Sequence, residues 1–170
     1  MHATTASEPI PMTNRTTIER RSERELVITR TFHGPARILF QAWTTPELLK
    51  RWWAPRSYGI TLQSCEADVR VGGTCRFVFG GGTVFYGRYL EVTPHSRLVW
   101  TNEEGGDAGF VTTVTFEEIA GTTRVVVHEL HPSKEALDEA RASGVEPGTV
   151  EAFEQLDELP VALGASEGSS

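Results

Sequence analysis

The sequence predicts an α+β fold in which one face of an antiparallel sheet is covered by a C-terminal helix. Three observations predict it. A strand pattern runs into a short two-helix insert, a run of β-rich stretches follows at regular spacing, and an apolar helical stripe lies near the end. Strands in a run followed by a helix is the α+β order, and an antiparallel sheet with an apolar face requires a cover.

Residues 1–24 lack hydrophobic periodicity, carry Pro9 and Pro11, and read as a disordered leader outside a single domain spanning residues 25–160, with residues 161–170 a polar tail. From Glu25, Leu26, Ile28 and Phe32 alternate with Thr29 and Thr31, a strand that Gly34-Pro35 ends. Pro35 suits a first helical turn, and Ile38, Leu39, Ala42 and Trp43 follow at helical spacing. Thr45-Pro46-Glu47 restarts a second short helix carrying Leu48, Leu49, Trp52 and Trp53.

Beyond Pro55 the β-rich stretches are 60–70, 74–79, 84–92, 97–102, 109–118 and 123–131. Gly72-Gly73, Gly80-Gly81-Gly82, Thr93-Pro94-His95, Gly105-Gly106-Asp107 and Ala120-Gly121 punctuate them. Each gap is short enough for a hairpin, so the expected arrangement is an antiparallel meander. Ser133 is placed to cap a helix over Lys134–Ala142, and Gly144 to Gly148 break the chain. The last helix is expected from Thr149 to about Leu159, with Val150, Phe153, Leu156 and Leu159 on one stripe and Pro160 limiting it.

Composition narrows the function classes. The 170 residues are 39% hydrophobic and 23% charged, enough apolar surface for a core. Against 16 basic residues stand 23 acidic ones, and a formal charge of −7 argues against nucleic acid as a partner. No apolar run reaches the roughly 20 residues of a membrane span, and the N-terminus has no apolar segment behind a basic start, so a cytoplasmic protein is expected. Cys65 and Cys75 stand outside any zinc-site spacing and read as reduced, buried thiols. His128 and His131, three apart on a strand, face opposite sides and chelate poorly, and no cofactor motif or activated nucleophile is visible.

By the period of two, Cys75, Phe77 and Phe79 share one face of their strand. Phe110, Thr112, Val114 and Phe116 are in phase on theirs, as are Val125, Val127 and Glu129, while Phe153 and Leu156 arrive from the helix. Two readings stay open: a filled core, or an apolar cavity that takes a lipophilic molecule. Glu129 is the informative member. Facing inward it orients a ligand or acts as a general base; at the strand end it pairs with a cation such as Arg88.

Specific stretches carry a resemblance. These are Pro35 followed by Phe40-Gln41-Ala42-Trp43-Thr44-Thr45-Pro46-Glu47-Leu48-Leu49, Trp52-Trp53-Ala54-Pro55, and Asp68-Val69-Arg70-Val71-Gly72-Gly73. Later come Gly87-Arg88-Tyr89-Leu90-Glu91-Val92, Arg97-Leu98-Val99-Trp100-Thr101 and Gly121-Thr122-Thr123-Arg124. In order and spacing, over about residues 20–160, the chain resembles the SRPBCC or START-like superfamily, and within it the group related to the C-terminal domain of the activator of Hsp90 ATPase. The resemblance implies the helix-grip fold, a strongly curved sheet wrapped around a long C-terminal helix with a cavity between them. It also implies that the two-helix insert borders the cavity mouth, where Trp52 or Trp53 would form part of a gate. The chain departs from the family at the opening of the last helix, where relatives commonly carry Gly-Trp and this sequence has Gly148-Thr149.

The leading expectation is a protein that binds a hydrophobic or amphipathic small molecule between sheet and helix, with no catalytic residue, metal or cofactor. Trp52, Cys75, Phe77, Phe79, Val114, Phe116, Phe153 and Leu156 would form the walls, and Arg88, Tyr89 and Glu129 the polarity. The resemblance implies an alternative of another class, a stress-related module that contacts an Hsp90-type chaperone and stimulates its ATPase. A third reading is a cyclase- or hydratase-like cavity enzyme, for which Glu129 is the inward acid or base. Either a monomer or a homodimer fits.

Overall fold

Alternation along Glu25–His33 (β2) directs Leu26, Ile28, Arg30 and Phe32 to the inner face, all of them buried. The computed structural model describes residues 16–103, 109–143 and 145–168. Thr17–Arg20 (β1) precedes β2, and helices Ala36–Thr44 (α1) and Pro46–Trp52 (α2) follow it, with a 3-10 turn at Arg56–Tyr58. The meander is Leu62–Ala67 (β3), Thr74–Phe79 (β4), Val84–Thr93 (β5), Arg97–Thr101 (β6), Val111–Ile119 (β7) and Thr122–Leu130 (β8). Helices Lys134–Ala142 (α3) and Val145–Gly168 (α4) complete the order.

The strands form one antiparallel sheet in the order β1-β2-β8-β7-β6-β5-β4-β3. Only the β2 to β8 pairing is a long-range closure, and the two strands match along their whole length from Glu25↔Leu130 to His33↔Thr122. This is the expected helix-grip architecture, with α4 against the inner face. A close backbone approach is built in at Gly87 in mid-β5, where a Cβ would lie 2.4 Å from the Thr101 carbonyl oxygen. Two residues on, the β5–β6 register shifts between Tyr89 and Glu91, so the sheet changes direction along this strand.

Two boundaries differ from the sequence reading. The leader was expected to run to residue 24, but Thr17–Arg20 pairs with β2 from Thr17↔Thr29 to Arg20↔Leu26; residues 1–15 lie outside the described residues. Four residues on an open edge bury only one side, so Ile18 alone among them packs against the core, too little to register as periodicity. The last helix starts at Val145 rather than Thr149 and runs through Pro160 to Gly168. Pro147 sits in the first turn, where a missing N–H removes no helical hydrogen bond, and Pro160 forgoes one such bond within a helix already anchored upstream.

Helix ends are satisfied locally. Ser133 Oγ accepts from the Ala136 N–H at 3.1 Å, as the sequence predicts. The α1 terminus is capped from afar, because the Ala36 N–H donates to Glu118 Oε1 at 2.9 Å.

Helix α4 is seated on β2 and on the two insert helices. Phe153 meets Phe32, Trp43 and Trp52 with ring centroids 5.8, 5.9 and 6.2 Å apart, and Leu156 and Leu159 are buried beside them. Each buried aromatic in this junction contributes of the order of 4–6 kcal/mol in transfer terms before the entropic cost of ordering. A buried ion pair fixes the register of helix on strand: Arg30 Nη2 lies 3.2 Å from Asp157 Oδ2, with the side chains 7% and 14% exposed. Arg30 Nη1 also donates to Thr16 Oγ1 at 2.9 Å, tying the β1 edge to the same charge.

Removing one partner of such a pair leaves a buried charge without compensation. Asp157→Ala is therefore expected to cost about 3–5 kcal/mol, read as a lower urea midpoint at unchanged m-value, and replacing both residues together by Leu and Met to recover most of that loss.

Candidate functional site

Between the inner face of the sheet, the two-helix insert and the start of α4 lies a cavity of ≈ 390 Å³. This lies within the usual range for small-molecule sites, about 300–1,000 Å³. Ile28, Trp43, Trp52, Trp53, Phe79, Phe85, Trp100, Phe110, Val127, Ala152 and Phe153 give it an apolar wall. Tyr58 and Ser143 are the exposed lining residues and mark the side that opens to solvent, between the 3-10 turn and the start of α4.

One end is polar. Thr112 and Glu129 are direct cross-strand partners in the β7–β8 ladder, so both point inward beside Trp100, which pairs with Thr112 from β6. Asn102 Nδ2 donates to Thr112 Oγ1 and to the Phe110 carbonyl, each at 2.9 Å. Glu129 Oε1 lies 3.2 Å from His131 Nε2, and the carboxylate side chain is 16% exposed while the imidazole is 3% exposed. The His131 ring stacks on Phe110 at 4.4 Å and 16°. Its backbone is pinned on both sides, since the N–H donates to the Arg24 carbonyl and the carbonyl accepts from Arg24 Nε, each at 2.8 Å.

The helical wall is held by side chains of α4. Gln155 Nε2 donates to the carbonyls of Trp52 and Ala54, and its Oε1 accepts from the Arg56 N–H at 2.8 Å. Glu151 accepts from both the N–H and the hydroxyl of Ser57, which together hold its carboxyl below the usual carboxylate range. Gly148 packs under Tyr58, where an added Cβ would stand 3.0 Å from the phenol oxygen. Thr149, next to it, lines the cavity.

The structure brings together some of the residues the sequence singled out. Trp52, Phe79, Glu129 and Phe153 line the cavity. Cys75, Phe77 and Tyr89 lie behind Trp53 and Phe85, around a separate gap of ≈ 10 Å³, about one water's worth. Val114, Phe116 and Leu156 are fully packed core and touch neither space.

Three expectations are corrected. Arg88 does not supply polarity to the cavity: it neighbours inward-facing Tyr89, so the period of two turns it to the outer face, where its Nη2 is 4.0 Å from Glu103. For the same reason it is not the partner of Glu129, whose partner is His131. Of the two tryptophans expected as a gate, Trp52 is fixed in the wall, being 2% exposed with its indole N–H donating to the Ala42 carbonyl at 3.0 Å, and half-buried Trp53 lines the cavity beside it.

Sequence reasoning passed over Trp100, Asn102 and His131. Leu98, Val99 and Trp100 are buried in succession, so alternation gives no phase for β6, and His131 lies one residue past the end of β8. The spacing of Glu129 and His131, two apart, was the available signal.

Cys65 and Cys75 are free and buried on neighbouring strands. Burial pushes the Cys65 thiol up to about 11 and the Cys75 thiol up to about 12, although the Tyr89 hydroxyl donates to the Cys75 sulfur. Both are thus poor nucleophiles at neutral pH. Native protein at pH 8 is expected to react with Ellman's reagent at least 100-fold more slowly than the urea-unfolded chain, which should titrate two thiols.

A family model described as "Activator of Hsp90 ATPase homolog 1-like protein" matches residues 33–160. Solved structures share the fold. A protein from Nitrosomonas europaea is 25% identical with a TM-score of 0.76, covering 86% of this chain and 99% of its own. One from Rhodobacter sphaeroides is also 25% identical, with a TM-score of 0.80 over 88% of this chain and 99% of its own. A Mycobacterium smegmatis protein, 23% identical, has a TM-score of 0.71 over 85% and 96%. No curated protein matches the chain. Among the described residues, no helix is long and apolar enough to cross a membrane.

Proposed function

The chain belongs to the activator of Hsp90 ATPase homolog 1-like family, and from that premise we propose that it binds a hydrophobic or amphipathic small molecule in the cavity between sheet and α4. The observation that carries this is a space of ≈ 390 Å³ walled by aromatic side chains with Asn102, Thr112 and Glu129 gathered at one end. An apolar enclosure with a few convergent polar groups binds by burying the ligand body and orients it through those groups. Its aromatic walls are fixed by packing and by the hydrogen bonds of Trp52 and Gln155, so little ordering opposes binding.

A second reading uses the other side of the sheet. Val84, Tyr86 and Leu90 point outward along β5 and are 39%, 38% and 46% exposed, with Arg88 among them, a mixed apolar and basic row of the kind that meets a protein partner. An Hsp90-type chaperone is the partner the family description suggests for it.

Thr149→Trp is the variant that tests the cavity, because Thr149 lines it and an indole there would take up part of its volume. Wild-type protein is expected to be stabilised by a neutral fused-ring alcohol such as 1-naphthalenemethanol in a thermal-shift titration, and native mass spectrometry to show a one-to-one complex. Thr149→Trp should bind it at least tenfold more weakly at unchanged far-UV circular dichroism. A wild-type melting temperature that does not move at saturating ligand sinks the reading, and co-elution with a purified chaperone that is lost in Tyr86→Glu would favour the second.

A further inference from the structure

The polar end of the cavity has a definite sense. Both amide hydrogens of Asn102 are used inside the protein, on Thr112 Oγ1 and on the Phe110 carbonyl; the second partner accepts only, which settles which way the amide points. Glu129 is the one ionisable acid on the wall, and no Lys, Arg or His side chain lines the cavity among the described residues. His131 engages Oε1 alone. The contact orients the carboxylate, and the second oxygen still has its lone pairs to offer. This end of the site therefore offers the Glu129 carboxylate and the Thr112 hydroxyl, with no basic side chain on the wall.

We infer, resting on the cavity-binding reading above, that the ligand is a lipophilic amine: a ring-bearing apolar body carrying a protonated nitrogen. The cation sits between Glu129 and the faces of Trp100 and Phe110, and the body lies along Trp53 and Phe153. Two forces act on it together. A charge-assisted hydrogen bond to a carboxylate largely withdrawn from water is stronger than a neutral one, and aromatic faces attract a cation held over them. The same electrostatics disfavour fatty acids, phosphates and other anionic amphiphiles, which would place a second negative charge beside Glu129 with no cation on the wall to meet it.

A matched series on one skeleton tests this: 1-naphthylmethylamine, 1-naphthalenemethanol and 1-naphthoic acid, each titrated calorimetrically into the full chain at neutral pH. The amine is expected to bind about tenfold more tightly than the alcohol and the acid more weakly than either. In Glu129→Gln, which keeps a hydrogen-bond acceptor for His131, the amine should lose its preference and bind within about twofold of the alcohol. An alcohol or acid that binds the wild type as tightly as the amine overturns amine recognition but leaves the cavity reading standing, because a member of the series still binds. Full retention of the amine preference in Glu129→Gln overturns it equally. Failure of all three to bind removes the cavity reading and this inference with it.

Discussion

The seat of α4 on β2 governs the rest of the molecule. Phe153 locks against Phe32, Trp43 and Trp52, and the Arg30–Asp157 pair sets where along the strand the helix rests. A single helix cannot cover an eight-stranded face. Once it is pinned over β2 and the insert, Phe85, Trp100, Phe110 and Thr112 are left facing a space rather than the helix. The cavity is the geometric remainder of that choice, and its volume depends on side chains at the opening of α4. A small residue there, Thr149 beside Gly148, leaves the space open.

The insert and α4 brace one another across the mouth. Gln155 closes three hydrogen bonds with the chain between Trp52 and Arg56, and Glu151 holds Ser57, so the turn carrying Tyr58 is bound to the helix. Trp52 gives its indole N–H to the Ala42 carbonyl and belongs to this brace. The fixed part of the wall is therefore the aromatic floor, and access runs past Tyr58 and Ser143, which are exposed. The wall is thus largely preformed, and preformed surfaces lose less to ordering in any binding event.

Much of this was legible in the sequence because a strand states its face through a period of two. The phase of Thr112, Val114 and Phe116, and that of Val125, Val127 and Glu129, survives intact because β7 and β8 pair without a shift from Val111 to Ile119. What escaped reading lies where that period fails. The register slip after Tyr89 and the continuous burial of Leu98 to Trp100 hide the cavity-facing residues of β6. Arg30 is in phase with Leu26, Ile28 and Phe32, yet an arginine in an apolar row reads as the exception until its partner 127 residues away is seen. His131 stands beyond the last strand and owes its position to Arg24, just before β2, a link that exists only once β2 and β8 are paired. Arg88 and Tyr89 cannot both supply polarity to the cavity, because adjacency on a strand separates side chains to opposite faces.

The placement of Glu129 joins folding to function. Its direction is imposed by register: Val127 and Val125 must face the core, and a strand that satisfies them cannot turn Glu129 outward without an inserted residue. Withdrawing a carboxylate from water opposes folding unless something compensates. His131 compensates in part through one oxygen, and the solvent that reaches the remaining surface does the rest. The local rule of apolar residues on the inner face is thus broken twice, at Arg30, which Asp157 of α4 pairs, and at Glu129 on the cavity wall. Such breaches concentrate where a protein has work to do, since a fully apolar wall would be more stable and would orient nothing.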